Sequence, residues 1–368
     1  MTIATLILTA ALGVSAAPAT EAFAIHADRV LNVGDKGDRE LIDGVILVEG
    51  GKIRAVGHPA DVKVPDGTRM VRHEGTVSAG LIACHGYSGA ASDSSDSARS
   101  MIPAAMMADA FQPGHDDFAQ LAGAGITTVV LTPQTGNLVG GQTAVVKTAG
   151  GAILKRRGHL ALSLSSEAMT TRREPTSAPG AVAALEAELE GREGVWGEVC
   201  DLQLPLMIAA TNRHEIVRAI DLCKKFKVGG ALYRATYAGE VRDHLRTTRL
   251  GVIAAPLSPG RSGRELASIV SLAEIGIPLA FGLDDPWTST DALRLSAAMC
   301  VRAGVERSSA WRALTVDAAR IAGVFNRVGS IGPGKDADLV LWSGDPLDLG
   351  SSIEGVYVNG NAVTGGDQ

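Results

Sequence analysis

Residues 24–31 and 43–57 alternate apolar and polar positions with the two-residue period of half-buried strands. Within the second run, Glu49-Gly50-Gly51-Lys52 separates two alternations, which predicts a hairpin turn. Short apolar runs return at the other end of the chain, in residues 331–342 and 355–363, again with turn residues between them. From about Gly75 to Gly323 the pattern changes. Short β-rich runs, at residues 125–131, 204–209, 251–255 and 277–281, alternate there with stretches of helical spacing. That alternation predicts parallel β/α units, and their number and span fit an α/β fold of the (β/α)8, TIM-like barrel type. Residues 176–198, rich in Ala, Glu and Leu, read as an exposed helix or insertion, and residues 316–324 as a helix stopped by Gly323.

With 368 residues and 46% hydrophobic content, the chain can bury one barrel-sized core and a smaller one. The net charge of −6 comes from charges of both signs scattered along the sequence, without a block of like charge, and this argues against a nucleic-acid partner. Residues 3–14 are uncharged and apolar, and small residues follow to Ala22. The pattern is that of a signal peptide over residues 1–22 and predicts export to a periplasm, although no Lys or Arg precedes the run; the alternative is a cytoplasmic protein. The run is shorter than the roughly 20 residues of a bilayer span, so no integral membrane anchor is expected. Cys84, Cys200, Cys223 and Cys300 show neither zinc-site spacing nor a disulfide framework. Alternation places Cys84 as a small buried residue pointing away from any cavity beside His85.

Residues 78–89 read as a strand ending in a small-residue loop, with His85 and Tyr87 projecting to one side. The run resembles the first-strand signature of the amidohydrolase superfamily, Pro-Gly-Leu-Ile-Asp-Ala-His-x-His. Here Ala79 stands at the proline, Ala83 at the aspartate and Tyr87 at the second metal-binding histidine. Residues 334–341, Gly-Lys-Asp-Ala-Asp-Leu-Val-Leu, resemble the superfamily's C-terminal hallmark. The resemblance implies a β-sandwich composed of residues 23–75 and 325–368 beside a barrel of residues 76–324.

It also implies a site. His85 matches the first histidine of the metal pair, whereas a phenol such as Tyr87 is a poor zinc ligand. Residues 132–147 resemble the Asn-x-x-Gly-Gly-Gln…Lys segment of imidazolonepropionase-like and related exported amidohydrolases, bringing in Asn137, Gln142 and Lys147. In two-metal relatives that lysine is carboxylated and bridges the ions; a salt-bridging lysine is the alternative reading. Ala210 falls on a ligand histidine, with Arg213 nearby, and His214 reads as a solvated residue at a helix start. Tyr233 and Arg234 stand where relatives often carry another histidine. Asp284 matches the aspartate that binds metal and acts as general base, while Asp285 reads as a helix cap. The implied remnant metal set is therefore His85, Lys147 and Asp284, with Asp284 catalytic and Tyr87, Asn137, Gln142, Arg213, Tyr233 and Arg234 in the pocket. No tightly held cofactor is expected from so reduced a set, only weakly bound zinc or another divalent metal. Without metal, Lys147 and Asp284 are expected to pair across the cavity.

Three functions follow. One is descent from metal-dependent hydrolases of amide or cyclic amide C–N bonds with catalysis lost, a pseudoenzyme that binds a small molecule or supports a partner, either an intact relative or a second copy. Another is an active amidohydrolase or dipeptidase-type enzyme working with His85, carboxylated Lys147 and Asp284. The third, a metal-free Ser or Cys hydrolase, lacks a Gly-x-Ser-x-Gly elbow or a placed Cys and His pair.

Overall fold

The computed structural model describes residues 22–90, 94–170, 173–260, 262–283 and 289–365. The chain begins with β1 (Phe23–Val33), β2 (Arg39–Glu49), β3 (Lys52–Gly57) and β4 (Arg69–Ala79). Glu49 lies opposite Lys52, and Gly50 and Gly51 both have positive φ, 57° and 76°. A two-residue hairpin turn whose twist matches the strands needs positive φ at both central positions, which explains the glycine pair.

The following strands are β5 (Leu81–Gly86), β6 (Ile126–Leu131), β7 (Val139–Gln142), β8 (Ala144–Lys147), β9 (Ile153–Lys155), β10 (Leu160–Ser163), β11 (Leu206–Ala209), β12 (Gly229–Tyr233), β13 (Arg249–Ala254) and β14 (Leu279–Phe281). Last come β15 (Leu339–Trp342), β16 (Ile353–Val358) and β17 (Asn361–Thr364). The helices are α1 (Asp116–Gly123), α2 (Ala178–Gly191), α3 (Val195–Cys200), α4 (Arg213–Phe226), α5 (Arg242–Leu245), α6 (Gly263–Glu274), α7 (Ala292–Arg302), α8 (Arg307–Arg312) and α9 (Val316–Ile321).

The two chain ends share one sheet of order β17-β16-β15-β4-β1-β2-β3. Where two stacked sheets were expected, β4 joins the halves by pairing with β1 on one side and β15 on the other. The sheet curls, because the Ile53 N–H donates to Lys335 O at 2.8 Å and the Ala337 N–H to Gly51 O at 2.9 Å. Both halves then fill one core of Ile25, Ile46, Ile53, Val77, Leu339 and Tyr357, and Phe23 stacks on Tyr357 with ring centroids 5.0 Å apart.

The remaining strands make an α/β, TIM-barrel-like unit. β10 to β14 pair in parallel, as do β5 and β6. Between β6 and β10 lies the run from Val139 to Lys147, whose first half, β7, is antiparallel to β10 and whose second half, β8, is antiparallel to β6. A hydrogen bond of 2.7 Å from Leu283 N–H to His85 O connects the end of β14 to the end of β5. Where eight parallel β/α units were expected, the described residues show parallel pairing for β5, β6 and β10 to β14, and between β6 and β10 the chain runs through antiparallel strands instead of a helix.

Ile82, Val130, Val145, Met207, Ala231, Ile253 and Ala280 cluster on one side of these strands with Ala318 and Ala319 of α9. Cys84 belongs to this inner cluster, its thiol donating to Ala318 O at 3.3 Å, so it points inward and not away as alternation suggested. Cys84 follows Ile82 by two residues onto the inner side while Ala83 faces the outer core, and the pairing with β6 shifts register between Ala83 and Gly86, around His85. Burial pushes the Cys84 thiol far up, so it is no thiolate nucleophile. The opposite faces, including Val129, Leu206, Ile208 and Phe281, pack with Ile216, Ile220 and Ile269 of the helices. The helix expected in residues 176–198 is α2 followed by α3, and α2 is not simply exposed: Ala181, Leu185 and Leu189 are buried.

Candidate functional site

His85 stands at the C-terminal end of β5, the end where barrels of this type place their chemistry. The residue is 2% exposed and its ring is held on several sides. Nδ1 faces Leu283 O at 2.8 Å and so carries the proton, leaving Nε2 to accept from the Tyr87 hydroxyl at 3.2 Å. Tyr87 meets the ring edge-on and Tyr233 lies tilted over it, each with centroids 4.9 Å away. Gly282 completes the fit, since a Cβ there would stand 2.8 Å from the His85 Cβ. The two-residue spacing thus brings His85 and Tyr87 together as expected. Tyr87 is half-buried in front of the imidazole.

At the end of β12, Tyr233 is buried and Arg234 follows in the left-handed region, with φ 56°. Such a conformation costs a non-glycine residue on the order of 1–3 kcal/mol and marks a constrained position. The Arg234 guanidinium donates to both carboxylate oxygens of Glu167 at 3.2 Å, and the Thr135 hydroxyl donates to the same carboxylate. Glu167 is half exposed, so the ion pair is worth at most about 1 kcal/mol. Neither Glu167 nor Thr135 was singled out from the sequence; the short Leu-Ala-Leu-Ser run of β10 just before Glu167 is the signal that marks a further strand end.

Lys147 lies elsewhere. It is opposite Thr128, in the first half of β6, because β8 runs antiparallel. Its fully buried ammonium donates to the Asp338 carboxylate and lies 3.3 Å from Asp336. Asp338 is at the opposite end of β5 from His85, for its carbonyl accepts from the Gly80 N–H at 3.0 Å. Five residues of strand separate Gly80 from His85, roughly 16 Å. The expected roles of Lys147, as a carboxylated metal bridge and as the partner of Asp284 across the cavity, are therefore corrected: its carboxylate partners come from the C-terminal hallmark. Asp336 is also bound by Lys52 and Arg327, each at 2.8 Å. Burial pushes Asp336 up, but Lys147, Lys52 and Arg327 outweigh it and hold the group below the usual carboxylate range.

Three other expected pocket residues have structural partners. Asn137 donates to the carbonyls of Asp96 and Arg99 at 2.9 and 2.6 Å and accepts from the Asp96 N–H, fixing a loop. Gln142 donates to Pro103 O at 3.0 Å and accepts from Arg157 at 2.6 Å. Arg213 is exposed at the start of α4, beside the Asn212–Glu215 capping box, and reaches Glu240 O at 3.4 Å. His214 is exposed there too, as expected. Ala210 is buried in the outer core. Asp284 and Asp285 lie outside the described residues.

Among the described residues, the donor chemistry near His85 does not fit the two-ion site that the resemblance implies. Both ring nitrogens have protein partners, the described rings against the imidazole are the phenols of Tyr87 and Tyr233, and the lysine is at the other end of the strand. Among the described residues, no three His, Cys, Asp or Glu side chains converge to hold an ion. What the mouth offers is a phenol hydrogen-bonded to an oriented imidazole.

Strand order defines an α/β, TIM-barrel-like protein with a separate sheet. Comparison with known proteins narrows the class. The Amidohydrolase family model matches residues 214–364. Imidazolonepropionase of Maricaulis maris (strain MCS10) is 30% identical over 129 residues, 31% of this chain and 32% of that protein. The chain spans about a third or less of the length of the curated relatives it matches. The solved amidohydrolase from Thermotoga maritima MSB8 has a TM-score of 0.81 and 25% identity, covering 93% of this chain and 99% of that one. A Xaa-Pro dipeptidase with methionine bound in its active site has a TM-score of 0.62 and 16% identity, over 93% and 99% of the two chains. The family model, the imidazolonepropionase and the Thermotoga maritima structure are likenesses to amidohydrolases, and the dipeptidase shares the fold.

Proposed function

We propose that this chain descends from metal-dependent hydrolases of amide or cyclic amide C–N bonds, no longer runs their two-ion reaction, and binds a small molecule at the mouth formed by His85, Tyr87 and Tyr233. One observation carries the reading: the Tyr87 hydroxyl occupies the Nε2 lone pair that a metal would need. The placement of Lys147 supports it, because a bridging ligand cannot act from the far end of the strand. Export on the leader of residues 3–14 belongs to the same proposal and is read by N-terminal sequencing of secreted protein. Among the described residues no helix is long and apolar enough to cross a membrane.

The competing reading, an active amidohydrolase or dipeptidase, draws on the relatives named above and would have to use His85 and Asp284 without Lys147. Metal per chain, measured by plasma mass spectrometry after incubation with zinc or manganese plus bicarbonate and then dialysis, separates the two. Substoichiometric metal with no metal-dependent cleavage of dipeptides or acyl amides is expected. Near-stoichiometric metal together with turnover abolished by a chelator would sink the proposal.

A further inference from the structure

The His85 cluster has the parts of a nucleophilic site that uses no metal. Such a site needs a hydroxyl or thiol within hydrogen-bond reach of a base, and a third group that orients the base. Here the Tyr87 hydroxyl reaches His85 Nε2 at 3.2 Å, and Leu283 O holds the opposite ring nitrogen at 2.8 Å. Tyr233 and Gly282 fix the ring in place. His85 is 2% exposed as a residue and Tyr87, in front of it, is half-buried, so Tyr87 is the more accessible of the pair.

We infer that Tyr87 is a nucleophile activated by His85, with the Leu283 carbonyl as orienter, and that the site takes acyl groups from small activated esters. The inference rests on the metal-free reading above. The Tyr87 oxygen bonds to the carbonyl carbon as Nε2 takes the phenolic proton. The ester C–O bond breaks, and the alcohol leaves with that proton. Water then attacks the acyl-tyrosine, gives one proton to Nε2, and the acid departs as Tyr87 regains a hydroxyl proton from Nε2. The imidazolium formed in each half is stabilised by the carbonyl at Nδ1. The sum is ester plus water to acid plus alcohol, and no further reactant is needed.

An aryl sulfonyl fluoride tests the pair directly. The phenol oxygen bonds to sulfur, fluoride leaves, the proton stays on Nε2, and the adduct is mapped by peptide mass spectrometry. The chain has four tyrosines, and half-buried Tyr237, whose hydroxyl donates to Glu265 at 3.2 Å, is a stringent internal control. In wild-type protein Tyr87 should label at least about tenfold faster than Tyr237, and His85→Gln should remove that advantage, given that a positioned base contributes roughly 10²- to 10⁴-fold. Equal rates at the two tyrosines in wild type overturn the inference without recourse to a variant. So does undiminished Tyr87 labelling in His85→Gln with wild-type circular dichroism. Metal content is read on the same sample: retained metal refutes the metal-free reading, whereas slow labelling of metal-free protein refutes only the nucleophile.

Discussion

Replacing Lys147 by Met removes one member of a buried ion pair and leaves the other behind. Asp338 keeps the Asn359 N–H at 2.9 Å, and Asp336 keeps Lys52 and Arg327, but the charge of Asp338 loses the ammonium beside it with only 3% of its side chain exposed. Breaking a buried pair from one side costs about 3–5 kcal/mol. At about 2 °C per kcal/mol for a chain of this size, Lys147→Met should melt roughly 6–10 °C below wild type. Differential scanning calorimetry reads the shift. Lys147→Met combined with Asp338→Leu should regain most of it, because the stranded charge is gone and apolar groups of similar volume replace the pair. Bicarbonate should not raise the melting temperature of wild type, since carboxylation would turn a cation into an anion beside two carboxylates. A single variant that melts within about 1 °C of wild type, or a double variant no better than the single, would refute the argument.

Two further outcomes follow from buried groups. His159, its Nε2 donating to Ile321 O at 2.9 Å, is pushed down to about 4 by burial, with Lys155 adding to the effect. The unfolded state therefore takes up the proton first, so this contribution to stability is intact above about pH 6.5 and is lost progressively as pH falls towards 4. The loss approaches about 3 kcal/mol. Urea titrations across that window should show a shallower decline in His159→Leu than in wild type, and parallel declines would count against a buried neutral imidazole. Gly282→Ala should destabilise by about 1–3 kcal/mol through overpacking against His85, and should slow sulfonylation of Tyr87; unchanged melting and labelling would mean the ring is not held from that side.

The strands could be read in the sequence because alternation and short apolar runs are local properties. Direction is not. The run Val139 to Lys147 carries two strands, and its apolar pattern reads alike upward or downward, so hydrophobicity could not reveal the reversal between β6 and β10. That reversal is what moved Lys147 away from the mouth. Its partner Asp338 lies 191 residues later, a separation no local pattern encodes. His85 and Tyr87 were legible through their two-residue spacing, whereas the Leu283 carbonyl that sets the imidazole tautomer belongs to the backbone and leaves no mark on residue type. The register shift at the end of β5, around His85, is equally silent in the sequence.

The shared sheet has a consequence for the order in which the molecule can be completed. β4 is made early, yet one of its two neighbours is β15, and Arg29 waits 316 residues for its hydrogen bond to Asp345. A nascent or truncated chain ending before Leu339 would present β4 as a bare edge, with unpaired N–H and C=O groups available to another chain. Closure of loops this long makes the final sheet slow to assemble. The segment from β15 to β17 therefore acts as a seal: until it is synthesised, β4 has no finished surface on that side.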